Sequence, residues 1–179
     1  MRRIAQFEKV SVQQFQVAWL DTFCNNETSK IDKMVENIGS IYDNIKLPKR
    51  ATIGSAGYDF YSPLSFTLRP GESIKIPTGI RVRIDEGWVL KCYPRSGLGF
   101  KYRLQMNNTV GIIDSDYYNS DNEGHIFCKL TNDSNEGKSV TIDCGIGFMQ
   151  GIFVEYGITL DDDADKARNG GFGSTSSKE

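Results

Sequence analysis

The residues best suited to chemistry are a pair of aspartates, a Pro-Arg-Ser-Gly tetrad and a single histidine. Asp114 and Asp116 lie in Gly111-Ile112-Ile113-Asp114-Ser115-Asp116-Tyr117, just after the Asn107-Asn108 turn signal. On extended backbone both would point to one face, where a carboxylate can polarise a water; the competing reading is a polar strand edge. Pro94-Arg95-Ser96-Gly97 offers a guanidinium fork, a hydroxyl and two successive backbone N–H groups. At the end of the Trp88 strand that set suits phosphate oxygens, though taken alone an ordinary turn with a solvated arginine is the better reading. His125, the only histidine, is expected to be structural and cannot build a multi-histidine metal site.

Other reaction classes fail on spacing. Gly97-Leu98-Gly99-Phe100-Lys101 is not a Walker loop, and Gly145-Ile146-Gly147 lacks the third glycine of a dinucleotide fingerprint. The run from Asn119 to Gly124 imitates a calcium loop, yet its twelfth position is Leu130, where a bidentate glutamate is needed. Cysteines at 24, 92, 128 and 144 form no Cys-x-x-Cys pair, so they read as reduced, mostly packed thiols.

The elements that position these residues follow from length and periodicity. The 179 residues, 39% hydrophobic and 25% charged, fit one soluble domain, expected at 1–165 and followed by a glycine-rich arm at 166–179. With 21 basic against 23 acidic side chains there is no general field for a nucleic-acid backbone, so any anion site must be local. A start without an apolar signal core, and the lack of a spanning segment, lead us to expect the cytoplasm.

Residues 3–10 could form a strand, and Ser11 with Gln14 makes a capping-box pattern that opens a helix with Val12, Phe15, Trp19 and Phe23 on one face. A second helix, capped at Ser29, is expected from Ile31, Met34, Val35, Ile38, Ile41 and Ile45. From Pro48 the period becomes two: strands are expected around 64–68, 74–76, 80–84, 88–92, 126–130 and 152–160. Short strands with turn signals between them predict a mainly β sandwich, jelly roll or small barrel.

Read in order, five segments resemble the motifs of the trimeric deoxyuridine triphosphate nucleotidohydrolases, the dUTPases. They are Gly54 to Phe60, Pro94 to Gly97, Asn108 to Tyr117, Gly145 to Gln150, and Gly170-Gly171-Phe172-Gly173-Ser174-Thr175. The likeness runs from about Ile45 to Ser176 and implies a dUTPase-like jelly-roll or β-clip barrel, here with a two-helix insertion at about 11–45 and a flexible C-terminal arm. Two positions depart from the pattern. Gly147 stands where a basic residue is usual, and the arginine of the last motif is displaced by one, leaving Ala167 followed by Arg168.

The resemblance implies hydrolysis of dUTP to dUMP and pyrophosphate by a homotrimer whose sites draw on more than one subunit. It makes Asp114 the general base toward the attacking water, with Gln150 near that water and Ser96 on the oxygen bridging the α- and β-phosphates. Arg95, Gly97, Arg168, Ser174 and Thr175 would hold phosphate oxygens. Mg2+ would be chelated mainly by the phosphates, with Asp59 reaching it through water. Backbone groups between Asn108 and Tyr117, including Gly111 and Ile112, would read uracil in a hairpin, Tyr117 would pack on deoxyribose, and Phe172 with Gly173 would close over the base. Two alternatives stay open: a dCTP deaminase or bifunctional deaminase-dUTPase, and a regulatory module whose extra helices dock a protein.

Overall fold

The computed structural model describes residues 2–24, 31–165 and 168, without the side chains of 31–36. Ser29 and the arm residues Phe172, Gly173, Ser174 and Thr175 lie outside the described residues.

The expected first strand is β1 (Ala5–Lys9), and the two helices are α1 (Val12–Phe23) and α2 (Ile31–Asp43). Strands β2 (Lys49–Arg50), β3 (Tyr58–Tyr61), β4 (Phe66–Leu68), β5 (Ser73–Pro77), β6 (Ile80–Ile84) and β7 (Trp88–Pro94) follow. After the short helix α3 (Ser96–Tyr102) come β8 (Leu104–Met106), β9 (Gly111–Ile113), a 3-10 turn (Ser115–Asn119), β10 (Phe127–Asn132), β11 (Val140–Ile142) and β12 (Gly147–Glu155). The described pairings are all antiparallel: a five-stranded sheet β2-β3-β12-β7-β9, a three-stranded sheet β5-β10-β8, and the pairs β1-β6 and β4-β11. The class is mainly β, as expected, and these sheets are compatible with a jelly roll without closing into a barrel.

Inward residues of several sheets, among them Phe60, Ile76, Leu90, Leu130, Val140 and Phe148, share one core. Each fully buried aliphatic or aromatic side chain contributes roughly 1.5–3 kcal/mol relative to exposure. The helices carry a smaller cluster of Val10, Phe15, Trp19 and Ile38, joined to the main core through Ile45 and Leu64.

Three local expectations change. The alternation at 152–160 is strand only as far as Glu155, which pairs with Trp88, the first residue of β7. Beyond it no partner strand remains among the described residues, and Ile158 and Leu160 are exposed. The second helix stops at Asp43, short of Ile45, and its last carbonyls, on Tyr42 and Asp43, accept from Lys9 Nζ at 2.8 and 3.1 Å. Ser11 caps α1, accepting from Gln14 N–H, but its own N–H donates to Glu123 Oε2 at 2.7 Å, so a residue 112 positions away supplies the acceptor of the cap.

Candidate active site

Strand register assembles the first group of site residues. In β12, Gln150 stands opposite Asp59 of β3 on one side and Tyr93 of β7 on the other. Directly paired residues share a sheet face, so Asp59 and Gln150 are brought together although 91 positions separate them in the chain. Gln150 Nε2 donates to Pro94 O at 3.3 Å, and Arg95 Nε lies 3.3 Å from Asp59 Oδ1. Arg95 also donates through Nη1 to Gly147 O at 3.3 Å.

Two glycines make room for this group. A Cβ at Gly147 would stand 2.8 Å from Arg95 Nη1, and one at Gly57 would meet Gln150 Oε1 at 3.0 Å. Ser96 and Gly97 open α3, where the first-turn N–H groups lack intrahelical acceptors, so they are available to anionic oxygen. Pro94-Arg95-Ser96-Gly97 lies at the end of the Trp88 strand, as expected, and leads directly into α3, a helix too short and glycine-rich to show periodicity.

The second group surrounds Asp114. Ile113 at the end of β9 pairs with Leu90 of β7, and Asp114 then caps the 3-10 turn. The backbone there is not continuously extended, contrary to expectation, yet both carboxylates converge on one cation. Arg168 Nη1 donates to Asp114 Oδ2 at 2.9 Å and to Asp116 Oδ1 at 3.3 Å. Burial works against the Arg168 charge, but the two carboxylates outweigh it and raise its pKa. Its guanidinium carbon lies 5.2 Å from the centre of the Tyr117 ring.

Tyr117 is itself buried, with its hydroxyl donating to His125 O at 2.8 Å. Asn108 belongs to a tight turn in which Thr109 takes a left-handed φ of 63°. Gly111 is packed against Cys92 and Met106, while Ile112 faces outward. The expected hairpin is therefore a turn, a strand paired with β7, and a 3-10 turn.

Among the described residues no hydrogen bond or ion pair joins Asp114 to Asp59, Arg95 or Gln150. Along β7 the groups are offset: Ile113, next to Asp114, pairs with Leu90, whereas Gln150 pairs with Tyr93 three residues further on and Arg95 follows two beyond that, about 10 and 17 Å away at ~3.3 Å per residue. Among the described residues no three His, Cys, Asp or Glu side chains gather as a metal cage. A lone Asp59 carboxylate beside an arginine does fit magnesium, which keeps its waters and takes one or two carboxylates plus substrate oxygens.

His125 is structural. It is fully buried and accepts from Gly79 N–H through Nε2 at 2.8 Å. The sequence reading missed two features of the site: the sharing of Arg168 by Asp116, hinted at only by alternate spacing, and the role of Gly147 as a seat for Arg95. The latter depends on a register between residues 52 positions apart.

Comparison with known proteins bears on the same segments. The family model described as dUTPase matches residues 43–176, leaving the helices before it outside. The deoxyuridine 5'-triphosphate nucleotidohydrolase of Lactococcus lactis is 42% identical over 73% of this chain and 88% of its own length. That of Hahella chejuensis is 39% identical over 76% and 90%. A dUTPase from Streptococcus mutans superposes with a TM-score of 0.56 at 35% identity, covering 65% of this chain and 89% of that one. For the fold alone, a dUTPase of Staphylococcus bacteriophage 80alpha gives 0.61 at 19% identity over 92% and 98%. Because the family match spans the segments that build the two groups above, and relatives at 39–42% identity are covered over most of their length, this chain belongs to the dUTPase family.

Proposed function

We propose that the chain hydrolyses dUTP to dUMP and pyrophosphate at sites completed between copies of itself, in a homotrimer. The observation that supports this reading is the offset of Asp114 from Asp59, Arg95 and Gln150 along β7, with the Asp114 and Arg95 side chains both partly exposed. A partner's Asp114 group set against this chain's Arg95 group would bring base and phosphate seat together.

Water attack on the α-phosphorus is opposed by the crowded negative charge of the triphosphate. Arg95, the N–H of Gly97 and the Ser96 hydroxyl take up that charge, with Ser96 on the bridging oxygen of the departing pyrophosphate. Mg2+, when bound with the phosphates near Asp59, adds charge neutralisation. Asp114 takes the proton of the attacking water, and Gln150 orients that water or the α-phosphate. Arg168 leaves the carboxylates for phosphate oxygens, and Ser174 and Thr175 follow with the arm. Backbone groups of Asn108, Gly111 and Ile112 read uracil, Tyr117 flanks the sugar, and Phe172 with Gly173 closes over the base.

The test is pyrophosphate release from dUTP, dCTP, dTTP and UTP with Mg2+. Preference for dUTP is expected, with a loss in Asp114→Asn on the order of 10² or more in kcat, the usual worth of a general base. Ammonia from dCTP, or full turnover by Asp114→Asn, would overturn the reading.

A further inference from the structure

The 3-10 turn that carries Asp114 and Asp116 is held from behind by an arginine outside the five motif segments. Arg81, on β6, donates through Nη2 to Tyr118 O at 2.8 Å, and its guanidinium carbon lies 3.6 Å from the Tyr118 ring centre. Its Nη1 lies 3.9 Å from Glu123 Oε2. Glu123 in turn accepts from Ser11 N–H at 2.7 Å and from the Ser11 hydroxyl at 2.6 Å, at the start of α1. On the other side, Tyr118 Oη donates to Glu8 Oε2 at 2.7 Å. One layer further in, a Cβ at Gly124 would fall 2.7 Å from Tyr117 O, so the Glu123-Gly124 turn is packed directly on the backbone of the 3-10 turn.

We infer that Arg81 is a positioning residue for Asp114, and that through Glu123 it joins the N-terminus of α1 to the same rigid unit. Stability alone accounts poorly for this arrangement. The Arg81 side chain is 18% exposed, and its Nε is buried without a hydrogen-bond partner among the described residues. A largely buried arginine with one unmet donor costs stability compared with an apolar residue of similar volume. What it supplies is geometry: the fork fixes the Tyr118 carbonyl and ring, and Tyr117 N–H donates to Asp114 O at 3.3 Å one residue before. Rotation of the turn about that bond would swing the carboxylate away from its water. The inference rests on Asp114 being the base, as proposed above.

The experiment compares Arg81→Met, which keeps the apolar stem over Tyr118, with wild type and with Arg2→Met, a loss of equal charge at an exposed pair with Asp85. Arg81→Met is expected to lower kcat for dUTP about tenfold while KM changes by less than about threefold, because a displaced base weakens the transition state more than substrate binding. Amide exchange of residues 114–120 should quicken in the same variant, and Arg2→Met should match wild type in both measurements. If Arg81→Met does not fold, Arg81→Lys, which keeps charge but has no fork, should show the same split. Wild-type kcat in a folded Arg81 variant, a loss carried wholly by KM, or unchanged exchange at 114–120 would overturn the inference. Failure of the wild type to hydrolyse dUTP would sink the functional reading, and the exchange measurement would still decide whether Arg81 holds the turn.

Discussion

Arg168 Nη1 lies 2.9 Å from Asp114 Oδ2, so in the free chain the carboxylate assigned to activate water is already engaged by the arginine assigned to hold phosphate. The same guanidinium reaches Asp116 at 3.3 Å and covers one face of Tyr117. On the function proposed above, turnover would require an exchange of partners: phosphate oxygens would draw Arg168 away, and in leaving it would free the Asp114 oxygen and the tyrosine face together. Both states offer the guanidinium charge-assisted bonds, which keeps the exchange inexpensive.

Replacing Arg168 by Gln should consequently impair catalysis more than stability. The carboxylates it contacts are about half exposed, at 48% and 55%, and such pairs add little to folding. Loss of one charged phosphate contact should lower kcat/KM by a factor of about 10 to 100. Steady-state kinetics with dUTP and a thermal melt decide it; a lowered melting temperature with unaltered kinetics would make the contact merely structural.

A site split between copies makes a complementation prediction. Asp114→Asn and Arg95→Met chains should each be nearly inactive, since each spoils every site. Mixed, dissociated and reassembled, they should regain about a quarter of wild-type activity, because random cyclic assembly pairs an intact Asp114 with a neighbour's intact Arg95 at one site in four. No recovery in verified mixed assemblies would mean that base and phosphate seat come from one chain.

The fold class was legible because the switch of apolar spacing from threes and fours to twos is a local property, visible from Leu64 to Cys92 without knowledge of partners. Helix α1 was legible for the same reason, and so was its Ser11 cap. What the sequence concealed were relations set by register and by long-range bonds. Gln14 looked like the other half of a capping box, whereas Glu123 takes that place. The run through Ile158 and Leu160 kept a strand's alternation after its partner strand had ended. At the site, residue types pointed to phosphate and a general base, but nothing local revealed that Asp59 and Gln150 face each other or that Asp116 shares the cation on Asp114.

Gly147 provides a direct test of the phosphate seat. An alanine methyl there would crowd Arg95 at 2.8 Å from Nη1 and 3.2 Å from Cδ. The crowded atoms belong to a flexible side chain, so the strand should survive with a stability change below about 1 kcal/mol. Arg95 would instead swing off Asp59 and Gly147 O, and kcat/KM for dUTP should fall about tenfold or more with the loss of a positioned guanidinium. Urea unfolding and kinetics on Gly147→Ala separate the two effects. Unchanged kinetics would show that Arg95 does not need this seat.

Acid should weaken the fold through His125. Burial pushes its pKa down to about 4, although the Glu123 charge acts in the opposite direction. With Nε2 accepting from Gly79 N–H, the neutral ring carries its proton on Nδ1, and protonation would turn the acceptor into a second donor facing that N–H. The unfolded chain binds a proton near pH 6.5, while the folded chain resists until about pH 4, so between these values the unfolded state holds more protons. Stability from this group is complete above about pH 6.5 and declines as pH falls toward about 4, by up to about 3 kcal/mol. Urea midpoints measured from pH 7 to 4.5 should fall steeply in the wild type. His125→Gln should be less stable at pH 7 yet have a flatter pH dependence, since the amide does not titrate; an equally steep decline in that variant would assign the acid sensitivity to other groups.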